Sequence, residues 1–254
     1  MRQAPALFGL PRARWRRSDL RQVLPCLAGY SVSGVGKLLR RLRISRQRGR
    51  LRLHSPDLAY PQKMAWLARA CAAARARASG VTVLYGDEAT VYRQPTLAAT
   101  YAPVGQAPAA PLSHRANLKY RLGGALNLVT GQVTWGAGKI MGVAGLCRLL
   151  AAVRAAYPEQ RVILIWDNWP VHQHPDVLAT AAELGIELLW LPTYAPWANP
   201  IEKLWRWLKQ ELLHHHQLAD RWDELKRQIR NWLDQFAQGS PALLRYCGLS
   251  VSGD

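Results

Sequence analysis

Arg161-Val162-Ile163-Leu164-Ile165-Trp166-Asp167-Asn168 is a near-continuous apolar run that ends abruptly in an acid and an amide. Such a run reads as a strand buried on both faces, the kind found in sheets covered by helices on either side. The flanks agree. Before it, Met141 to Tyr157 has helical periodicity; after it come a helix over Asp176 to Leu184 and a second buried strand over Ile186 to Leu191. Further out, Val81-Thr82-Val83-Leu84-Tyr85-Gly86 reads as a strand followed directly by Asp87, and Tyr120 to Val129 as a strand closing at the turn Thr130-Gly131. Residues 95–111 carry Pro, Ala and Gly without periodicity and read as a loop or an irregular strand pair. Asn199 is a candidate N-cap with Pro200 at the first helical position, opening a helix that turns Ile201, Leu204, Trp205, Leu208 and Leu212 inward. Trp222, Leu225, Ile229, Trp232, Leu233 and Phe236 define a last amphipathic helix. Strands alternating with helices predict an α/β layer architecture.

The chain has 254 residues, 49% hydrophobic and 20% charged, with no apolar run long enough to span a bilayer, so no membrane association is expected. Charge is unevenly placed. Residues 1–80 hold 18 Lys and Arg against only Asp19 and Asp57, a net +16, whereas the remainder is nearly neutral at +2. A cationic third joined to a neutral body suggests a module that grips a polyanion. An organelle transit peptide would also begin Arg-rich and acid-poor, but here the pattern persists to Arg77 across periodic apolar positions. Cys26, Cys71, Cys147 and Cys247 form no CxxC pair and read as reduced core thiols of a cytoplasmic protein. The run His214-His215-His216 sits near an expected helix end, where a dipole interaction explains it better than a metal.

Within the basic third, Leu20, Val23, Leu24 and Leu27 follow Ser18, a candidate N-cap, and Gly29 breaks the pattern; Pro25 bends this helix. A second helix starts near Ser31 or Ser33 with the stripe Val32, Val35, Leu39 and Leu42, opposite Lys37, Arg40 and Arg41. Two short helices around a Gly-containing turn, the second basic, outline a helix-turn-helix that enters the major groove. Residues 43–52, including Arg46, Arg48 and Arg50, suit an extended arm along phosphates. Pro61, Met64, Leu67, Ala68 and Cys71 mark a further helix closed at Gly80. These signals divide the chain into a basic helix-turn-helix region with its arm (1–57), a linker helix (58–80), a core (81–216) and a C-terminal helical extension (217–254).

Asp87, Asp167 and Glu202 stand after two strands and in the first turn of a helix, positions that converge at the edge of an α/β sheet. Three close carboxylates repel one another unless a cation joins them, and hard oxygen ligands suit Mg²⁺ or Mn²⁺. Each acid also has a plainer reading: Asp87 as a turn residue beside Glu88, Asp167 with Asn168 as a cap, and Glu202 as the partner of Arg206 four residues on.

The surrounding blocks are more specific. Asp167-Asn168-Trp169-Pro170-Val171-His172 and the stretch from Leu191 through Pro192-Thr193-Tyr194-Ala195-Pro196-Trp197-Ala198-Asn199-Pro200-Ile201-Glu202 to Trp205 resemble the signature blocks of DDE transposases of the mariner-like superfamily, in particular its bacterial insertion-sequence branch, the six-thirty family. Asp167 and Glu202 are separated by 34 residues, the spacing of that branch, and Asp87-Glu88, Gly123-Gly124 and Thr130-Gly131 fit its earlier blocks.

That resemblance implies an RNase H-like catalytic core, a mixed sheet flanked by helices, preceded by a small all-α helix-turn-helix domain. It implies two divalent ions, Mg²⁺ with Mn²⁺ as substitute, held by Asp87, Asp167 and Glu202. The activity it implies is cleavage of double-stranded DNA at element inverted repeats, then transfer of the freed 3′-hydroxyl into target DNA by a homodimer in the bacterial cytoplasm, at the nucleoid. Asn168, His172 and Asn199 would support the ligands or position DNA; Lys203, Arg206 and Lys209 would face phosphates. Ala195, Ala198 and Tyr101 depart from the family's usual Ser, Leu and Trp. Relatives carry two helix-turn-helix units where this chain has room for one, so part of the DNA-binding region is expected to be missing or supplied by another frame. A stand-alone nuclease and a DNA-binding remnant are the alternatives.

Overall fold

The four segments predicted as strands pair, together with a fifth that was not predicted, into one sheet. The computed structural model describes residues 4–46, 55–76 and 80–249. The chain forms two units, residues 1–52 and 53–254.

In the smaller unit, α1 (Arg17–Val23) and α2 (Val32–Arg41) pack Leu20, Leu27 and Val35 against Trp15, Leu38 and Leu39. The first helix is shorter than expected: Pro25 has no N–H to continue it and opens a separate 3-10 turn, Pro25–Leu27. Its start is held by Asp19, which accepts from the Arg16 amide at 2.8 Å and pairs with Arg12 at 2.9 Å, in place of the expected Ser18 cap. Ser31 caps α2 through the Gly34 amide at 2.9 Å. On α2 Val35 is buried and Leu38 and Leu39 are partly buried; Val32 and Leu42 are exposed, because burial follows contact with α1 rather than periodicity alone. Lys37, Arg40, Arg41 and Arg46 are exposed, whereas Arg48 and Arg50 lie outside the described residues.

In the larger unit, α3 (Tyr60–Arg75) is followed by β1 (Val81–Tyr92), β2 (Lys119–Asn127), β3 (Val133–Gly138), α4 (Val143–Ala156), β4 (Arg161–Trp166), α5 (Pro175–Glu183), β5 (Ile186–Trp190), α6 (Ile201–Leu208), α7 (Trp222–Asp234) and α8 (Pro241–Cys247). The sheet order is β3-β2-β1-β4-β5. The hairpins β1–β2 and β2–β3 are antiparallel; β1–β4 and β4–β5 are parallel. A parallel pair needs a crossover, and α4 and α5 supply them on one face. Alternation along β1 sends Leu84 to that face, with Trp166 and Leu146, and Val83 and Tyr85 to the other, with Leu204, Trp205, Leu225 and Leu243.

Several expectations change. The strand at residue 81 does not stop before Asp87 but runs to Tyr92, because β2 continues to pair with it after β4 has ended. The strand β3 went unforeseen, its alternation obscured by Gly136 and Gly138. The helix α3 packs Leu67 and Ala70 onto the sheet, with Ala68 exposed, and α7 and α8 share the same core. A π-helical turn, Lys209–Leu213, follows α6 and widens the repeat, so Leu213 rather than Leu212 is buried. Of the cysteines expected in the core only Cys247 is buried, and Cys26 is exposed. His214 and His215 bond Thr96 and Ala98, so they tie down the start of the 93–118 loop rather than only ending a helix.

Candidate active site

The parallel register Tyr85↔Ile165 places Asp87, two residues on, beside Asp167, the first residue after β4. Continuing β1 past its parallel neighbour is what puts an acid in mid-strand at the open end of β4. Glu202 reaches the same place from the first turn of α6. All three carboxylates line one cavity of about 500 Å³. Its walls include Trp169, Thr193 and Tyr194, the last with φ 54° in the left-handed region.

Electrostatics follow from this crowding. Burial, then repulsion from Glu202 and Glu88, pushes Asp87 up to about 8. Burial also raises Glu202, with Asp167 adding repulsion and Lys209 and Arg206 offsetting part of it. Burial opposes ionisation of Asp167 too, but N–H donors from His172 and Trp169 outweigh it and hold that carboxyl below its ordinary value.

The supporting residues bridge elements. Asn168 Nδ2 donates to the Leu191 carbonyl at 2.6 Å, tying the ends of β4 and β5 together. Asn199 does not cap α6 with its side chain: Pro200 takes the cap position, and Asn199 Nδ2 donates to the Gly86 carbonyl at 3.0 Å, docking α6 on β1. His172 is fully buried, with Nδ1 2.8 Å from Asp167 Oδ1 and Nε2 3.0 Å from Glu88 Oε2. Burial disfavours its charged ring, yet the bonds to Asp167 and Glu88 prevail and raise it to about 9.

Sequence reasoning missed the supporting roles of four residues, Trp205, Asp57, Ser55 and Glu88. Trp205 Nε1 donates to Asp87 Oδ2 at 3.0 Å. Asp57 accepts from the Thr193 amide at 3.0 Å and from Lys63 at 2.8 Å, while Ser55 donates to the Thr193 carbonyl, so the segment before α3 anchors the cavity loop. Glu88 meets His172, and alternation along a strand was the available signal for it. The expectation for Lys203 is corrected: its Nζ donates to the Cys247 carbonyl at 2.7 Å, at the C-terminus of α8, whose exposed carbonyls attract a cation. Arg206 and Lys209 are exposed on α6 and just beyond it. No Glu202–Arg206 ion pair closes among the described residues, so the plain pairing reading of Glu202 does not hold.

Carboxylate oxygens around one cavity are the kind of hard donor that suits a divalent cation such as Mg²⁺ or Mn²⁺. Among the described residues no three acidic, imidazole or thiol groups already stand at ligating separation around one point. The acids are within electrostatic reach of one another.

A family model described as DDE superfamily endonuclease matches residues 82–226, more than half of the chain. The chain belongs to that family. The match begins in β1, ends in α7 and takes in all three acids. This DDE superfamily endonuclease is 27% identical over 241 residues to the insertion element IS630 uncharacterized 39 kDa protein of Shigella sonnei, covering 92% of this chain and 68% of that one. Among solved structures it is similar to the Mos1 transposase paired-end complex with left transposon end, with a TM-score of 0.66, 20% identity and coverage of 98% of this chain and 75% of that chain. It is also similar to the Mos1 strand transfer complex, with a TM-score of 0.63, 22% identity and coverage of 98% and 74%. At that identity the likeness establishes a common fold, the mixed sheet flanked by helices that the signature blocks imply.

Proposed function

We propose that this chain is a transposase of an insertion sequence, which cuts DNA at the element's ends and joins the freed 3′-hydroxyl to target DNA. Asp87, Asp167 and Glu202 hold two divalent ions, Mg²⁺ or Mn²⁺. The observation that carries this reading is the gathering of three acids, distant in sequence, around one cavity in a chain of the DDE endonuclease family. When bound, such a pair of ions activates a water or hydroxyl and neutralises charge on the departing oxygen. The protein's share is placement. Trp205 and the docking of α6 by Asn199 fix Asp87 and Glu202 relative to each other, while Asn168 holds the loop that walls the cavity. Arg206 and Lys209 face phosphates beside the acids, and Lys37, Arg40, Arg41 and the Arg46–Arg50 arm grip the element end as a helix-turn-helix module. The bound assembly is a homodimer on double-stranded DNA in the bacterial nucleoid.

The test is incubation of purified protein with Mg²⁺ or Mn²⁺ and DNA bearing the element ends, scoring both nicking and strand transfer of a pre-cleaved 3′ end. Both products are expected, and both vanish in Asp167→Asn. Nicking without strand transfer identifies a stand-alone nuclease; binding without either product identifies a DNA-binding remnant.

A further inference from the structure

Glu88 follows Asp87 in β1, and consecutive strand residues point to opposite faces of the sheet. Asp87 meets Trp205, which packs in the core with Val83 and Tyr85. Glu88 meets His172, whose ring lies 4.1 Å from that of Trp166 at an interplanar angle of 18°, and Trp166 belongs with Leu84 to the other core. Glu88 is therefore excluded from the face on which Asp87 and Glu202 converge. Among the described residues its side chain hydrogen-bonds to His172, and beyond that its charge repels that of Asp87.

The imidazole is fully buried and spans the sheet edge. Nε2 stands 3.1 and 3.0 Å from the two oxygens of Glu88, and Nδ1 stands 2.8 Å from Asp167 Oδ1. The Trp169 amide donates to the same Asp167 oxygen at 2.9 Å. Both donors thus engage Oδ1, and Oδ2 has no protein donor among the described residues. Stacking on Trp166, with the Trp169 ring nearly perpendicular and its centroid 5.3 Å away, fixes the plane of the imidazole. A half-turn about the Cβ–Cγ bond nevertheless returns the ring to the same plane, so the stack accepts either orientation, and that flip carries Nδ1 away from Asp167. Two contacts distinguish the orientations, Nδ1 with Asp167 and Nε2 with Glu88, and the second anchors the far end of the ring: the flipped ring leaves a buried donor and a nearly buried carboxylate without partners.

We propose that Glu88 is a positioning residue of the cleavage site: acting through His172, it sets the orientation of the Asp167 carboxylate and so that residue's capacity to hold a divalent ion. This rests on the reading of Asp167 as an ion ligand. Partners one step removed from a metal ligand typically govern about 10–100-fold in metal affinity.

The experiment titrates the full chain with Mn²⁺ alone, following free Mn²⁺ by electron paramagnetic resonance, for wild type, Glu88→Ala, Glu88→Gln and Asp167→Asn. Side-chain ¹⁵N spectra of His172 are recorded on the same metal-free samples. Glu88→Ala is expected to weaken Mn²⁺ binding about 10–100-fold and to change the Nδ1 signal. Glu88→Gln, whose amide oxygen still accepts from Nε2, is expected to recover most of the affinity and the wild-type signal. Wild-type affinity in Glu88→Ala overturns the proposal. If Glu88→Ala does not fold, Glu88→Gln still decides: a loss as complete as in Asp167→Asn makes Glu88 a direct ligand and overturns the positioning role. A wild-type chain that takes up no Mn²⁺ instead removes the ion reading of all three acids, whatever the state of the His172 signal.

Discussion

The indole Nε1 of Trp205 donates to Oδ2 of Asp87 at 3.0 Å. The ring that makes this bond occupies space left by Gly124, the residue paired with Asp87 across β2. A Cβ on Gly124 would stand 2.9 Å from the Trp205 ring and 3.4 Å from Ile201. The absence of a side chain on β2 and the presence of a large one on α6 are thus two halves of one arrangement. Trp205→Phe keeps the ring and removes the donor. A hydrogen bond to a charged group contributes about 1.5–3 kcal/mol, so with Asp87 ionised in the working site cleavage is expected to slow on the order of tenfold, while the metal-free chain, whose Asp87 keeps its proton, loses only about 0.5–1.5 kcal/mol, the contribution of a neutral bond. Gly124→Ala is expected to lower stability by about 1–3 kcal/mol through overpacking, measured by urea denaturation, and to slow cleavage as well. Wild-type rates in both variants would show that Trp205 does not orient Asp87.

On the proposed reading of Asp87 as an ion ligand, its ionisation links pH to ion binding. Its ordinary value is 3.8 and the folded chain raises it to about 8. Between those values the metal-free folded protein keeps a proton that the unfolded chain has released. The stability from this group is therefore full at acid pH and declines as pH rises towards 8. Binding of Mg²⁺ near pH 7 must expel that proton. Calorimetric titrations in buffers of different ionisation enthalpy are expected to report proton release, and Asp87→Asn to abolish it. Heats independent of the buffer would contradict this.

Asp57 behaves in the opposite sense. The Lys63 ammonium, then the Thr193 amide, hold its carboxyl down at about 2 from an ordinary 3.8. Stability from this group is therefore present above its unfolded value and is lost only as pH falls through about 2. Hydrogen exchange at the Thr193 amide is expected to stay slow through mildly acid conditions in the wild type and to accelerate in Asp57→Ala. Cleavage is expected to weaken in the same variant, because Thr193 walls the acidic cavity.

DNA binding separates the cations by their placement. A module contacting roughly 6–10 phosphates loses about 10³–10⁵ in affinity between 50 and 200 mM salt. Replacing Lys37, Arg40 and Arg41 together with Ala is expected to flatten that salt slope by about one unit for each contact removed. Lys203→Ala is expected to leave DNA affinity unchanged and to lower stability, since Lys203 serves the end of α8. Fluorescence anisotropy across a salt series distinguishes the two effects, and a large DNA-binding loss in Lys203→Ala would reverse the assignment.

What was legible in the sequence was whatever short-range chemistry dictates. The apolar run ending at Trp166, the proline opening the helix of Glu202 and the basic face of the second N-terminal helix each announce their local structure. Asp167 and Glu202 were legible because each lies where an element ends or begins, in a recognisable block, and Asp87, although it stands in mid-strand, because it closes an apolar run. The extension of β1 beyond Asp87 was not, because only its pairing with β2 sustains it, and β3 was hidden for the same reason. Nor were the roles of Trp205, Glu88 and Asp57, whose partners lie 118, 84 and 136 residues away. Local patterning therefore determined the layers and the acids. Register between strands and the alternation of faces, which depend on how distant segments pair, decided which side chains support those acids and from which side of the sheet.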